Sequence, residues 1–432
     1  MSRILLVGGG GREDAVARRI LESGGELFSA LKNRNPSIIG MSKSHFIVDE
    51  LDHSKITDFA VKNKVDLAFI GPDPVLDTPL AEELSSKGIL VASPSRSAAR
   101  LETSKSYMRD LLTRHSIPGN IFSRLFREKA ELESFLSKEN REFAVKPIGL
   151  TGGKGVKVMG VHLQNVSQAL DYGKEILEKD GEVLLEERIQ GEEFSLQVFT
   201  DGNRIAPTPL AQDFKRAYEH DEGPNTGGMG SITDSNGLLP FIPQKSFDFA
   251  LLVMQKIAAS MKTDGNPFRG IMYGQFMETT DGPKVVEVNA RFADPESLNI
   301  LSLFKGDFVE LLFSMAEGNL KTNFDFEQSA SVLKYVVPKG YGTKPVAGTL
   351  EIDLKSIAPD IMLYYAAVSG TKEKVEMSTS RSLALVGIAP TIEEASERVE
   401  QNLKFIRGEY YLRHDIGSRQ MMEEKMRNFS RA

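Results

Sequence analysis

The sequence predicts a multidomain α/β and α+β protein: an N-terminal open parallel α/β sheet, a core of two α+β units and a small C-terminal α+β domain. Three observations carry this. The 432 residues, at ~150 per domain, point to about three domains, each large enough for its own core. The first hundred residues alternate short apolar runs with helical patterns. After Pro118 the pattern changes to longer strands and hairpins.

The elements follow in order. "RILLVG", a helix through "EDAVARRILES", "ELFSAL", "VDLAFIG", a helix through "TPLAEELSSKG" and "ILVAS" form βαβ units of a parallel sheet. Thr78 as cap, Pro79 at the first helical position and Gly88 past the end delimit the second helix. Residues 1–104 make this domain, and a polar helix over residues 105–120 connects it onward. In residues 121–192, "EFAVKP", "GVKVMG" and "EVLLEERI" read as strands around a helix near Val166 to Glu178, a unit suited to act as a lid. Residues 193–323 hold "FSLQVFTDGNRI", a loop around "GPNTGGMG", a helix near Phe247 to Met261, and the hairpin "YGQFMETTDGPKVVEVNARF", marked by Asp281-Gly282. Residues 324–432 close the chain with several strands and a helix opened by the capping box Thr391-x-x-Glu394. Apolar residues at 392, 395, 399, 403 and 406 give that helix a core-facing stripe.

Composition excludes several classes. With 41% hydrophobic and 26% charged residues the chain is neither disordered nor fibrous. The balance of 53 basic against 60 acidic residues argues against a general nucleic-acid or anionic-membrane surface. There are no cysteines, hence no disulfides, thiolate nucleophiles or cysteine-based metal sites. The six histidines lack HxxxH or HExxH spacing. "MSRILLVGGGGRED" is too short in apolar residues for a signal peptide, and runs such as "LALVGIA" fall far below the ~20 residues of a membrane span. A cytoplasmic protein is expected.

Four segments carry chemistry. "GGGGRE" follows a strand as a phosphate-binding turn would, but Glu13 stands where a dinucleotide fingerprint needs its third glycine. With "GPDP", it falls where open α/β sheets bind ligands, at strand carboxyl ends. "KPIGLTGGKGVKV" packs four glycines and three lysines into thirteen residues. It is no Walker A loop, since Ile148 and Gly155 break that spacing, so its amides and lysines would hold phosphate from between two strands. Lys146, inside an apolar strand, needs an anionic partner. In "KVVEVNARF", period-2 alternation puts Glu287, Asn289 and Arg291 on one face and Val286, Val288 and Ala290 on the other. A carboxylate beside an amide oxygen suits Mg²⁺, and equally fits a solvated sheet face. Glu186 and Glu187 in "EERIQGEEFS" read either as nucleotide contacts or as a solvated turn. "QDFKR" and "GPNTGGMG" combine acid, base and glycine in loops suited to a zwitterion and a phosphate.

In this order, through "NARFADPES" to the late "RHDIG", the segments resemble the ATP-grasp family and, within it, the glycinamide ribonucleotide synthetases. The resemblance spans nearly the whole chain and makes the two α+β units an ATP-grasp core. It implies ATP, Mg²⁺ or Mn²⁺, glycine and 5-phosphoribosylamine, converted to glycinamide ribonucleotide, ADP and phosphate through a glycyl phosphate. Lys105 and Lys146 would then contact phosphates under the loop with Gly152, Gly153, Lys154 and Gly155. Glu186, Glu187 and Ile189 would lie at adenine and Glu193 at the ribose. Glu287 and Asn289 match metal-ligand positions, with Gln275 standing where many relatives place a second acid. Arg291, Asp213 and Lys146 are the candidate catalytic residues. The other substrates would meet Gly10, Gly11, Arg12, Glu13, Pro72 and Asp73. They would also meet Lys215, Arg216, Asn225, Thr226, Gly227 and Gly228, then Asp294, Pro295 and Glu296. A monomer or weak dimer is implied, with transient contact to the upstream amidotransferase and no fused purine enzyme.

Two departures bear on this. Asp14 stands where the family's GREHA motif has His, and Phe214 where QDHKR has His, which puts two polar contacts in question. Three alternatives remain open at this point: another ATP-grasp carboxylate–amine ligase, a non-catalytic nucleotide-binding scaffold and an NAD-linked oxidoreductase.

Overall fold

The computed structural model describes residues 1–149 and 155–431. At its N-terminus five strands form a parallel sheet in the order Ser44–Ile47, Glu26–Leu31, Arg3–Val7, Leu67–Ile70, Leu90–Val91. Their near-continuous apolar runs are those of strands covered on both faces. Strand order reverses between Arg3–Val7 and Leu67–Ile70, so the "GGGGRE" and "GPD" turns flank the switch point. The strand Ser44–Ile47 escaped the sequence reading because "SHFI" carries only two strongly apolar residues. The helix expected to begin at Pro79 runs over Leu80–Ser86, with Pro79 capping it and the Thr78 hydroxyl reaching the Leu80 amide at 3.4 Å.

The unit expected to act as a lid is an antiparallel sheet ordered Ser123–Phe126, Val183–Glu187, Phe143–Pro147, Lys157–Val158, backed by helices Lys129–Leu136 and Val166–Asp180. Its apolar core, including Phe126, Phe143, Val145 and Leu185, is a cluster separate from the main one. The central sheet is ordered Ile205–Pro207, Glu192–Asp201, Arg269–Thr279, Gly282–Asn289, and the helix Gln244–Thr263 packs on it.

Register decides what faces the cavity between lid and central sheet. Gln275 pairs with Glu287, but the next pairing is Phe276 with Val285, so Val286 is an extra residue in a bulge. Strict alternation would place Val286 on the face opposite Glu287. The bulge corrects that expectation: Val286, Glu287, Asn289 and Arg291 all line one cavity.

The C-terminal sheet is ordered Gln212–Asp213, Gly230–Thr233, Ala330–Pro338, Leu383–Ala389, Ile361–Tyr365. "QDFKR" and "GPNTGGMG" therefore leave and re-enter a sheet whose other strands come from beyond residue 329. The helix Ile392–Asn402 is capped by Thr391, whose hydroxyl accepts from the Glu394 amide at 3.2 Å. It stops short of the last two residues in the expected stripe: Leu403 is buried from a 3-10 turn and Ile406 from a strand. No helix among the described residues is long and apolar enough to cross a membrane.

Candidate active site

The bulged strand, the lid sheet and the C-terminal sheet enclose a cavity of about 710 Å³. Its lining brings together Lys146, Glu186, Glu187, Ile189, Glu193, Asp213, Lys215, Arg216, Asn225, Thr226, Gly227, Gln275, Glu287, Asn289, Arg291, Asp294 and Glu296, with Arg12 and Asp73 from the parallel sheet. One stretch of wall is apolar, with Ile121, Ala144, Val156, Val158, Met277 and Val286.

Lys146 has its anionic partner. Its Nζ donates to Glu186 Oε2 at 2.6 Å, and Arg109 bonds both Glu186 oxygens at 2.8 and 3.0 Å. Glu186, 1% exposed, is no solvated turn. Burial opposes its charge, but Arg109 and Lys146 overcome that and hold its pKa down at about 2. Glu187 accepts from the Phe122 amide at 2.9 Å.

Gly152, Gly153 and Lys154 lie outside the described residues. Both flanks of their segment are anchored: Lys105 Nζ donates to Gly149 O at 2.7 Å, and the Tyr172 hydroxyl donates to Gly155 O at 2.9 Å. Burial lowers the Lys105 pKa against the pull of Glu287.

Asn289 Nδ2 donates to Glu287 Oε1 at 3.2 Å. Burial works against the Glu287 charge, yet Lys215 and Lys146 hold its pKa below the ordinary value. Gln275, directly across the ladder, donates its Nε2 to Glu193 Oε2 at 2.6 Å, and Lys215 reaches the same oxygen at 3.0 Å. Among the described residues no group of three or more His, Cys, Asp or Glu could hold a metal by itself. Glu287 with the Asn289 and Gln275 amide oxygens fits Mg²⁺, a hard ion that binds through one or two protein carboxylates plus substrate phosphates.

Arg291 is aimed from behind. Glu102 Oε1 accepts from its NH2 at 2.9 Å, and Glu102 Oε2 accepts from the Ala290 amide at 2.8 Å. The Arg291 Nε has no partner. Deeper in, Asp213 Oδ1 and Glu296 Oε1 are buried without hydrogen bonds. Burial first, then the charge of Glu296, pushes the Asp213 pKa well up; burial raises Glu296 against its own amide, Lys215 and Tyr273. Two desolvated carboxyl oxygens without donors are a site for an ammonium or amine.

Other candidates sit behind the wall. Glu13 turns back to the Gly10 amide at 2.8 Å and pairs with Arg12 at 2.6 Å, and Gly11 packs against Tyr335. Pro72 packs against Gly8, and Gly10, Gly11, Glu13, Pro72, Gly228 and Pro295 do not line the cavity. The Thr226 and Gly228 amides are already engaged, by Lys215 O at 2.7 Å and the Thr226 hydroxyl at 3.1 Å. Gly228 has φ +103°, and a Cβ there would lie 2.5 Å from Pro295 Cδ and 2.6 Å from Asp213 Oδ1. A side chain at Gly228 would therefore push into Pro295 and Asp213.

The departures resolve physically. Asp14 is fully buried and accepts from the Tyr365 amide at 2.7 Å, tying the first helix to the C-terminal sheet. Phe214 is buried beneath two cations, Arg413 at 5.5 Å and Lys425 at 5.4 Å from its ring centroid. Tyr273 and Arg381 were missed. Tyr273 shares the strand face of Gln275 and Met277, a period-2 signal that was there to be read. Arg381 donates to Asp294 O at 3.0 Å and to Gly227 O from a loop with no local signature.

Residues 2–102, 103–297 and 331–419 match, in turn, the families described as phosphoribosylglycinamide synthetase N domain, ATP-grasp (A) domain and C domain. A phosphoribosylamine–glycine ligase of Thermococcus gammatolerans is 42% identical over 98% of this chain and 96% of the relative. One from Methanothermobacter thermautotrophicus is 42% identical over 99% of this chain and 98% of the relative. In fold, the crystal structure of a phosphoribosylamine–glycine ligase from Thermotoga maritima superposes with a TM-score of 0.81 at 22% identity, covering 96% of this chain and 99% of that one. The biotin carboxylase domain of the Hydrogenobacter thermophilus 2-oxoglutarate carboxylase, solved with ADP and magnesium, has a TM-score of 0.75 at 15% identity over 99% of this chain and 94% of that one. With three domain matches in sequence order and relatives of this identity along its length, the chain belongs to the phosphoribosylglycinamide synthetase family of ATP-grasp enzymes.

Proposed function

We infer that the protein is an ATP-dependent ligase joining glycine to 5-phospho-D-ribosylamine, giving glycinamide ribonucleotide, ADP and phosphate. The observation that carries the reading is one cavity holding the Lys146 and Glu287–Asn289 groups together with the unpaired Asp213 and Glu296 oxygens. The first set suits a nucleotide triphosphate, the second a small amine.

The chemistry answers a difficulty: a carboxylate resists attack by an amine. A glycine carboxylate oxygen displaces ADP from the γ-phosphorus, forming glycyl phosphate. The amine of phosphoribosylamine then attacks the acyl carbon, phosphate leaves, and the amine loses a proton. In this reading Lys146, held against Glu186, neutralises phosphate charge, and Arg291, held by Glu102, clamps the developing phosphate. Asp213 and Glu296 receive the amine hydrogens. Glu193, fixed by Gln275 and Lys215, takes the ribose hydroxyls. Mg²⁺, when bound, neutralises charge on the transferred phosphoryl group. Closure of the lid keeps water from the acyl phosphate.

The same reading makes the protein a cytoplasmic monomer or weak dimer, receiving its unstable amine through transient contact with the upstream amidotransferase. In a coupled assay, ADP is expected only when glycine and phosphoribosylamine are both supplied. ADP release indifferent to the amine would sink the assignment, and preference for another amino acid would mark a different ATP-grasp ligase.

A further inference from the structure

The last helix, Arg419–Arg431, begins at the last of the residues 331–419 matched by the family's C domain and runs on beyond them, yet it reaches the active cavity. Its outer face is stapled by i,i+4 pairs, Arg419 with Glu423 at 2.9 Å and Gln420 with Glu424 at 3.1 Å. Its inner face carries Met421 in the main core and, one turn on, Lys425 at 9% exposure. A core-facing stripe calls for another apolar side chain at that place, since a buried ammonium is costly unless paired. Lys425 holds its ammonium over Phe214 and Phe241, with Nζ 5.4 and 5.5 Å from the ring centroids. Its Nζ meets Glu192 Oε2 at 2.9 Å.

Glu192 opens the strand Glu192–Asp201, and the next residue is Glu193. Gln212 braces the same corner, its Nε2 2.8 Å from Glu193 O and 3.4 Å from Glu192 Oε2. Glu192 and Lys425, with Asp221, line both the active cavity and another of about 200 Å³, so their pair stands in the wall shared by the two. We propose that Lys425 is a positioning residue of the nucleotide site: through Glu192 it sets the start of the strand that presents Glu193 to the ribose. This rests on the reading of Glu193 given above.

The test is steady-state kinetics of the full chain with each substrate varied in turn. Lys425→Met keeps the stem and removes the charge. The KM for ATP is expected to rise roughly three- to tenfold, the scale of one charge-assisted hydrogen bond. The KM for glycine should stay near wild type and kcat should change less. Lys425→Arg should restore the value, and Glu192→Gln should reproduce the defect in a protein that retains its last helix. An unchanged KM for ATP in either variant overturns the proposal, as does a uniform rise in every KM with a lowered melting temperature, which marks a purely structural pair. Wild-type turnover that needs both glycine and the amine tests the ligase reading separately.

Discussion

Glu287→Ala is expected to cut turnover by roughly three orders of magnitude, the rate equivalent of several kcal/mol of lost charge stabilisation, with little effect on the melting temperature. The argument starts from charge. Of the three candidate metal ligands, Glu287 alone is a carboxylate; Asn289 and Gln275 supply neutral oxygens. No group of three or more acids or histidines among the described residues could take over. Lys215 and Lys146 hold Glu287 ionised, so its negative charge is present over the whole neutral range. Its side chain faces the cavity from the edge of a bulge, and its removal leaves the packed Val285 and Val288 in place. Loss of activity should therefore come without loss of fold. Glu287→Gln, which keeps an oxygen, should recover only a small part of the rate. The measurement is ADP release across a Mg²⁺ titration. Near-normal turnover at limiting Mg²⁺ would move the ion to another place.

Much of this site was legible in the sequence, and what was legible was local. The "EVNARF" strand announced a polar face because alternation is a property of consecutive residues. The parallel sheet followed from its apolar runs, and the lid lysine from its apolar setting. What escaped depends on distant pairing. Nothing near Glu186 marks Arg109, 77 residues earlier, as the guanidinium that grips it; that helix read as a polar connector. Arg381 meets Asp294 and Gly227 across three separate parts of the chain. Asp14 put a polar contact in question, but its partner is a backbone amide 351 residues away. Val286 turned to the cavity because one extra residue enters the ladder, and hydrophobicity does not encode a bulge.

Glu186→Ala should be the most destabilising single change at the site, at about 3–5 kcal/mol, the usual penalty for removing one partner of a buried ion pair. Glu186 compensates two cations at once. Arg109 is 2% exposed and Lys146 8% exposed. Without the carboxylate, Arg109 retains bonds to Asn120 and to the Val285 and Val286 carbonyls, while Lys146 loses the 2.6 Å contact that fixes it. Because the Glu186 strand and the Lys146 strand are neighbours in the lid sheet, the damage falls on the lid, and the KM for ATP should rise together with the fall in melting temperature. Acid tests the same group independently. The folded pKa of Glu186, about 2, lies below its ordinary 4.5. A depressed carboxylate stabilises the fold above its unfolded pKa, and that stabilisation is lost as pH falls through the folded one. The stability gap between wild type and Glu186→Ala should therefore be full above about pH 4.5 and close towards pH 2. Thermal melts of both proteins across that window read it directly, and a gap that does not narrow would mean the two cations are not what holds Glu186 ionised.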